Sequence, residues 1–101
     1  MAANDVIEHE SATLEEIDEP PMYKVFMHND ETTTMDFVED ILQRIFNKSA
    51  EEARDIMLHV HHNGIGLCGI YTREIAEAKV NLVTSEARRA SFPLKCTMEK
   101  E

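Results

Sequence analysis

The chain has 101 residues, a length that one small domain fills. Its 20 acidic and 10 basic residues leave a formal net charge of −10, which repels nucleic-acid phosphates and anionic lipids. Hydrophobic residues make up 43% of the chain, enough for a folded core, yet no apolar run is long enough to span a bilayer. The first residues also lack the basic start and apolar stretch of a signal peptide. We therefore expect a cytoplasmic protein whose partners are proteins or peptides, with no nucleic acid and no membrane among them.

Residues 1–21 differ in composition from the rest of the chain. They carry acidic side chains but no Lys, no Arg and no aromatic residue, and they end in Pro20-Pro21. Low hydrophobicity with one sign of charge is typical of disorder, and the two prolines favour a stiff, extended boundary. We predict a flexible acidic N-terminal extension over 1–21 and a folded core domain over 22–101. Such an extension is solubilising, or it serves as a tether or interaction arm.

The core domain is expected to open with a strand, a turn and a helix. Residues 22–28 contain the β-branched and aromatic side chains that favour a strand. The Asn and Asp residues at 29–31 are turn formers that end it. Either Thr33 or Thr34 can cap the helix that follows, which we expect to run to about Phe46. The apolar positions of this helix follow helical spacing: Met35, Val38, Ile41, Leu42, Ile45 and Phe46.

A second helix and a second strand are predicted from local signals. Ser49 and Glu52 have the spacing of a capping box, which indicates the start of a helix. Gly64 is placed to end that helix as a C-terminal glycine. The residues at 65–71 then favour a strand.

A third helix and a final strand complete the chain. Thr72 can cap the helix, and the residues that we expect to face inward are Ile75, Ala76, Val80, Val83 and Ala87. Pro93 stops the helical pattern before a short strand over 94–99. The order β-α-α-β-α-β predicts an α+β domain in which a small three-stranded, mostly antiparallel sheet packs with three helices.

Cysteines and histidines are the candidates for catalytic or metal chemistry. Cys68 and Cys96 lie in expected strands without a Cys-x-x-Cys pair, which predicts reduced, buried thiols. His59 and His62, near the end of the second helix, could supply two metal ligands, but the sequence names no third. A nucleophilic pair of Cys68 with His61 needs an exposed thiolate, which a buried strand does not offer. We therefore expect no enzyme activity, no cofactor and no metal.

Two other patterns could form a binding site. The polar residues at 28–33 lie between a strand and a helix, where a loop offers amide and carboxylate acceptors, although an ordinary turn with a helix cap explains them too. Met35, Val38, Met57 and Val60 have the spacing of core positions, yet methionine also lines adaptable binding pockets. The residues alone leave both interpretations open.

Several ordered blocks of residues run from Pro20 to the end of the chain. These blocks are Pro20-Pro21-Met22-Tyr23-Lys24-Val25, Asn29-Asp30-x-x-Thr33-x-Met35-x-Phe37-Val38, Met57-x-x-Val60-His61-x-x-Gly64, Cys68-Gly69-x-Tyr71-Thr72-x-Glu74-x-Ala76-x-x-Lys79-Val80 and Pro93-Leu94-x-Cys96-Thr97-x-Glu99. Together they resemble the ClpS family, the N-end rule adaptors of the ClpAP-type protease. One block alone would be a weak signal, but their shared order and intervals make the resemblance specific.

The resemblance implies an adaptor that is not itself an enzyme. Such an adaptor binds proteins bearing N-terminal Leu, Phe, Tyr or Trp and delivers them to the N-terminal domain of a ClpA-like AAA+ unfoldase for degradation by the associated peptidase. Independently of the resemblance, we expect a monomer by default. By position, the residues that would bind the substrate's α-amino group are Asn29, Asp30, Glu31 and His61. Those that would line the side-chain pocket are Thr33, Met35, Val38, Met57, Val60 and Leu94, with Met35 as a gatekeeper against β-branched residues. Glu74 and Lys79 would contact the unfoldase, and the extension would enter its pore.

The chain departs from the family pattern at Glu31, usually Asp, and at Thr34, often Pro. The Glu side chain carries its carboxylate about one methylene further, and the loss of proline removes a fixed φ at the helix start. Two other functions stay open at this point. One is a metal-binding domain that uses His28, His59, His61 and His62. The other is a regulatory domain that docks on an unfoldase and has no ligand of its own.

Overall fold

The computed structural model describes residues 20–101, which form three strands and three helices. The predicted acidic extension lies outside the described residues except for Pro20 and Pro21. In chain order the elements are β1 (Met22–His28), α1 (Met35–Arg44), α2 (Ala50–Asn63), β2 (Ile65–Thr72), α3 (Arg73–Arg89) and β3 (Lys95–Lys100). This order confirms the predicted β-α-α-β-α-β arrangement and the α+β class. Within residues 20–101, no helix combines the length and the apolar character needed to cross a membrane.

The sheet is antiparallel throughout, and β1 is its central strand in the order β2-β1-β3. One face of the sheet, the inner face, packs against the helices and completes the hydrophobic core. The buried strand side chains on this face are those of Val25, Met27, Cys68 and Cys96. The opposite face, which we call the outer face, leaves Ile65, Leu67 and Ile70 exposed. A β-bulge interrupts β2, because Val25 pairs with Gly69 whereas the next residue, Phe26, pairs with Leu67.

Helix α1 begins at a threonine cap, as predicted, but ends earlier than expected. Thr34 has an extended backbone, and its Oγ1 accepts a hydrogen bond from the Phe37 amide at 3.2 Å. The C-cap is Ile45, whereas the sequence pattern predicted a helix to about Phe46. The chain turns away at Asn47, which adopts a left-handed conformation (φ +57°) that Asn tolerates better than most residues.

Both ends of α2 follow the local sequence signals. The Glu52 Oε1 accepts a hydrogen bond from the Ser49 amide at 2.9 Å, and the Ser49 Oγ accepts one from the Glu52 amide at 3.1 Å. Gly64 has a φ of +87°, and its N–H donates to the Val60 carbonyl at 2.8 Å. The predicted capping box and glycine C-cap are therefore confirmed. A Cβ on Gly66 would lie 2.5 Å from Val60 Cγ2, so the end of α2 packs directly on β2.

Helix α3 buries one stripe of residues but not the whole set that the pattern predicted. The buried residues of this helix are Ala76, Val83 and Ala87. Ile75 is 49% exposed, so the prediction that it faces inward is wrong. Each residue rotates an α-helix by about 100°, which carries Ile75 off the stripe that contains Ala76. Thr72 is the N-cap as expected, but its side chain makes no capping hydrogen bond.

Both cysteines are free and buried, which confirms the predicted core thiols. Burial raises the pKa of the Cys96 thiol to about 12, and it also raises the pKa of the Cys68 thiol. Both side chains are therefore protonated at neutral pH. Because the thiolate is the reactive form of cysteine, Cys68 does not offer His61 a nucleophilic partner.

Candidate functional site

A backbone hydrogen bond joins the end of β1 to the end of α2. The Asn29 amide donates to the Gly64 carbonyl at 2.9 Å, directly after β1 and at the C-cap of α2. His61 lies three residues before this cap on the same helix. The bond therefore holds Asn29 at the end of the helix that carries His61, and both residues line the same pocket although they are far apart in sequence.

The loop that follows Asn29 is folded around the Asp30 carboxylate. Asp30 Oδ1 accepts hydrogen bonds from the Thr32 amide at 2.8 Å and from the Thr33 amide at 2.7 Å. Asp30 Oδ2 accepts a bond from the Thr33 hydroxyl at 2.8 Å. Burial alone would raise the pKa of Asp30, but the bonds from Thr33 and Thr32 outweigh it and hold the pKa below its ordinary value. Asp30 is therefore an ionised side chain whose two oxygens shape the loop.

The loop ends at Thr34, the cap of α1, so that Met35 is the first residue of the helix. Met35 is 44% exposed, which is unusual for a large apolar side chain at a helical core position. It lies at the margin of a pocket, and the deeper helix residue Val38 is buried.

The pocket lies between this loop, the start of α1 and the end of α2, and has a volume of about 390 Å³. The residues that line it are Asn29, Asp30, Glu31, Thr32, Thr33, Thr34, Met35, Val38, Met57, Val60 and His61. Its apolar wall comes from Val38, Met57 and Val60, all of which are at least nine-tenths buried. The loop and His61 supply amide, carboxylate, hydroxyl and imidazole groups at the other side. A pocket of this kind can bury an apolar side chain and accept hydrogen bonds from a cation beside it.

The structure brings most of the sequence-predicted site residues together in this pocket. All four predicted α-amino ligands line it, as do all the predicted side-chain pocket residues except Leu94. Leu94 instead lines an adjoining cavity of about 10 Å³, which also touches Asn29, Val38 and Val60. Thr32 and Thr34 also line the pocket but were not among the predicted site residues. Thr32 belongs to the polar turn at 28–33 that the sequence indicated, and Thr34 was predicted only as a possible helix cap.

The two predicted unfoldase contacts have different surroundings. Glu74 is exposed in the first turn of α3. The Lys79 ammonium donates a hydrogen bond to the Ile45 carbonyl at 2.6 Å, and it lies 5.1 Å from the ring centroid of Tyr71 and 5.7 Å from that of Phe46. Lys79 is thus engaged in holding the end of α1. The contact of either residue with an unfoldase stays a prediction.

The histidines of the metal hypothesis do not converge. His28 Nε2 lies 2.8 Å from the Thr97 hydroxyl. The pKa of His28 is lowered, mainly by burial and to a smaller extent by the positive charge of Lys95. His59 Nδ1 lies 3.1 Å from the Asn63 side-chain amide. Across residues 20–101, no group of three or more His, Cys, Asp or Glu side chains is placed to hold a metal ion.

Comparison with known proteins gives a consistent set of relatives. The family described as "ATP-dependent Clp protease adaptor protein ClpS" matches residues 18–97. The ATP-dependent Clp protease adapter protein ClpS of Maricaulis maris is 58% identical over 82 residues, which are 81% of this chain and 75% of that protein. The protein of the same name from Desulforapulum autotrophicum is 60% identical over 82 residues, covering 81% of this chain and 79% of the relative.

A solved structure supports the same assignment. It is the structure of Agrobacterium tumefaciens ClpS2 bound to L-phenylalaninamide, with a TM-score of 0.80 and 35% sequence identity. The alignment covers 82% of this chain and all of that chain. The matched fold, the family match over most of the chain and the identity to curated relatives lead to one conclusion. The chain belongs to the ClpS family of ATP-dependent Clp protease adaptor proteins.

Proposed function

We propose that this adaptor binds proteins bearing N-terminal Leu, Phe, Tyr or Trp and delivers them to a ClpA-like AAA+ unfoldase for degradation by the associated peptidase. One observation carries the proposal: a single pocket joins a buried apolar wall to a cluster of hydrogen-bond acceptors. An N-terminal residue with a bulky side chain needs this combination, because it presents an ammonium group and an apolar group on one carbon atom.

The polar side of the pocket suits the α-ammonium group. An ammonium that leaves water needs acceptors in place of its hydration shell. Asn29 offers an amide oxygen, the His61 imidazole a ring nitrogen and Glu31 a carboxylate. Asp30 contributes its negative charge from behind the loop, since its oxygens already accept bonds from Thr32 and Thr33. The ligand of the Agrobacterium relative, L-phenylalaninamide, supports this assignment because it also has an α-amino group next to an apolar side chain.

The apolar side of the pocket suits an unbranched bulky side chain. Burying a Leu or Phe side chain contributes roughly 2–3 kcal/mol. Val38, Met57 and Val60 are held by the core, so they form a wall that does not adapt freely. Met35 lies at the margin, where it would contact the Cβ of the bound residue and disfavour a branch at that atom.

Delivery requires a second surface for the unfoldase. Glu74 is exposed at the start of α3 and is available for such a contact. Residues 1–19 precede the described domain, and we propose that they assist delivery by entering the unfoldase pore. Both assignments follow from the family resemblance and are open to direct test.

The pocket can be tested by fluorescence anisotropy with a labelled peptide that begins with Leu. We expect binding of this peptide, weak binding of the same peptide beginning with Val, and no binding of the N-acetylated Leu peptide. His61→Ala should weaken binding at least tenfold, since it removes an acceptor from a buried charge, a loss of about 1.4 kcal/mol or more. His62→Ala is the matched control, because His62 is the exposed neighbour and does not line the pocket.

Two results would count against the proposal. Equal binding of the free and acetylated peptides would show that the ammonium is not recognised. An absence of binding to all three peptides, together with retained binding to the unfoldase, would favour a regulator that has no ligand of its own.

A further inference from the structure

The outer face of the sheet carries an apolar patch that the proposed function does not use. Cross-strand pairing with β1 places three residues of β2 on this face: Ile65, Leu67 and Ile70. Their exposed fractions are 40%, 41% and 39%. Phe26, which pairs with Leu67, adds a half-buried aromatic ring. Large apolar side chains grouped in this way mark a contact surface more often than single exposed ones do.

The bulge in β2 is the reason why all three side chains face the same way. In an unbroken strand alternate residues share a face, so Ile65 and Leu67 would lie on one face and Ile70 on the other. The extra residue at Cys68 shifts the alternation by one position. Ile70 consequently pairs with Lys24 and is exposed instead of entering the core.

The charge of the outer face is opposite in sign to that of the whole chain. Cross-strand pairing places two lysines, Lys24 and Lys95, on this face with one acidic residue, Glu99, which leaves a net positive charge. His28 lies on the same face, but its lowered pKa favours the neutral form. The whole chain has a formal charge of −10. A second copy of the chain would also carry a net negative charge, and repulsion between two negatively charged chains disfavours their association. An acidic segment that carries apolar residues is the better complement.

Residues 1–19 of the same chain have this chemistry. They contain seven acidic residues and no Lys or Arg, and their large aliphatic residues are Val6, Ile7, Leu14 and Ile17. They join the domain just before Met22, which pairs with Thr72 at the end of the sheet nearest Ile70. From Leu14 to Met22 the chain can extend up to roughly 26 Å, whereas the outer face from Lys24 to His28 is roughly 13 Å long. The segment is therefore long enough to reach the whole patch.

We propose that residues 1–19 dock on the outer face of their own molecule, with Leu14 and Ile17 over the patch formed by Ile65, Leu67 and Ile70. The acidic side chains between and beside them face Lys24 and Lys95. This docking does not depend on the peptide-binding function. If the segment also enters an unfoldase pore, which rests on the proposed function, undocking is a step that precedes entry.

The test places a nitroxide spin label on the full chain at Ser11→Cys and records methyl NMR spectra before and after reduction of the label. We expect the methyl signals of Ile65, Leu67 and Ile70 to lose intensity in the paramagnetic state. Leu82 is the internal control, because it is 50% exposed on α3, away from the outer face. The unsubstituted chain treated with the same reagent controls for labelling of Cys68 and Cys96, which are buried.

A second labelled chain that also carries Leu14→Ser and Ile17→Ser tests the apolar contact without altering the folded domain. Restored signal intensity in this chain supports the docking. Unchanged signals in the first chain, or equal losses at Ile70 and Leu82, overturn it. A further sample tests for contact between molecules. It mixes spin-labelled chains that are not isotope-enriched with isotope-enriched chains that carry no spin label. Losses that appear between different molecules would assign the patch to a second copy and would also overturn the proposal.

Discussion

Asp30 and Glu31 are neighbouring carboxylates with different surroundings. Asp30 accepts three hydrogen bonds from Thr32 and Thr33, so its oxygens are committed to the loop. Glu31 is exposed at the pocket, and its side chain is one carbon longer than that of Asp. We infer that Asp30 positions the loop, whereas Glu31 is the carboxylate that can move to meet a ligand.

The change Asp30→Asn tests the positioning role. We expect it to lower the free energy of unfolding by about 1 kcal/mol at pH 7, because an amide cannot accept all three hydrogen bonds. The folded-state pKa of Asp30 is lowered, so its stabilisation is present above the unfolded-state pKa of about 3.9 and is lost as pH falls through the folded-state pKa. Urea unfolding measures the free energy of unfolding of both chains at pH 7 and at acidic pH. We expect the difference between the two chains to be smaller at acidic pH.

Glu31→Gln is the control for that experiment, since the Glu31 side chain is exposed. It should leave the free energy of unfolding unchanged while weakening the binding of a peptide with a free N-terminus. A pH-independent difference between Asp30→Asn and the unsubstituted chain would contradict the role given to the Asp30 carboxylate.

Met35 offers a test of specificity at the scale of one side chain. We expect Met35→Ala to increase the affinity for a Val-initiated peptide by tenfold or less, since relieving one contact with a branching methyl is worth about 1 kcal/mol. Affinity for the Leu-initiated peptide should fall slightly, because apolar contact is lost. Competition anisotropy with both peptides measures the ratio of the affinity for the Leu-initiated peptide to that for the Val-initiated peptide. Met98→Ala, a change on β3 outside the pocket, should leave the ratio as it is.

At this scale the sequence and its family resemblance predicted most of the pocket-lining residues but not their arrangement. Residue types alone favoured a core position for Val38 and Met57, and both are indeed buried while also forming the pocket wall. Leu94 was expected in the pocket and lines the small cavity beside it. Leu94 directly precedes β3, and the spacing of residues in the sequence does not predict which of two adjoining cavities this segment contacts.

At the scale of elements, local signals succeeded where the cause is local. The capping box of α2 and its glycine C-cap were predicted at the correct residues, because each motif acts within a few residues of itself. The C-cap of α1, Ile45, lies one residue before the predicted end at about Phe46, and a residue distant in sequence contacts this end. Lys79, on α3, donates a hydrogen bond to the Ile45 carbonyl at 2.6 Å. The bulge at Cys68 was also not predicted, although the glycine that follows it, Gly69, is a residue type that often marks a bulge within a strand.

Lys79 therefore has a structural role that must be separated from any contact with an unfoldase. We expect Lys79→Met to lower the free energy of unfolding by about 1–2 kcal/mol, because it removes a charged hydrogen bond and two cation–π contacts. Urea denaturation measures the change. Lys100→Met, at the exposed end of β3, should have little effect on stability.

Glu74→Gln isolates the interaction with the unfoldase. It changes an exposed charge and should weaken binding to the unfoldase's N-terminal domain without altering the free energy of unfolding.

The Lys79→Met prediction has its own contradicting outcome. If Lys79→Met were as stable as the unsubstituted chain, the contacts at the end of α1 would not carry the energy assigned to them.

At the scale of the whole molecule, the pocket exists only where three elements meet. The end of β1, the start of α1 and the end of α2 each contribute part of it, and the Asn29–Gly64 hydrogen bond ties two of them together. The pocket is thus a product of the fold, with a described lining drawn from residues 29–61, whereas the role that we propose for residues 1–19 is in delivery. Peptide capture and delivery should be separable by a change to this segment.

Deletion of residues 1–19 tests that separation. We expect the affinity for the Leu-initiated peptide to stay within twofold, a change below about 0.4 kcal/mol, because the pocket is untouched. Degradation of a Leu-initiated substrate by the unfoldase and its peptidase should slow. Replacing the segment with a Gly/Ser stretch of equal length is the control for length alone. A large loss of peptide affinity on deletion would show that the segment takes part in capture.

The central position of β1 has a mechanical consequence. Among the elements of residues 20–101, β1 is the first that a pull on the N-terminus reaches, because Met22 begins that strand. β1 is bonded to β2 along one side and to β3 along the other, so two ladders must break before it leaves, whereas an edge strand is held by one. Antiparallel hydrogen bonds lie across the strands and share a load applied along them. The domain is therefore suited to bear tension from its N-terminus, and a motor that gripped this end would stall or slip more readily than it would unravel the adaptor.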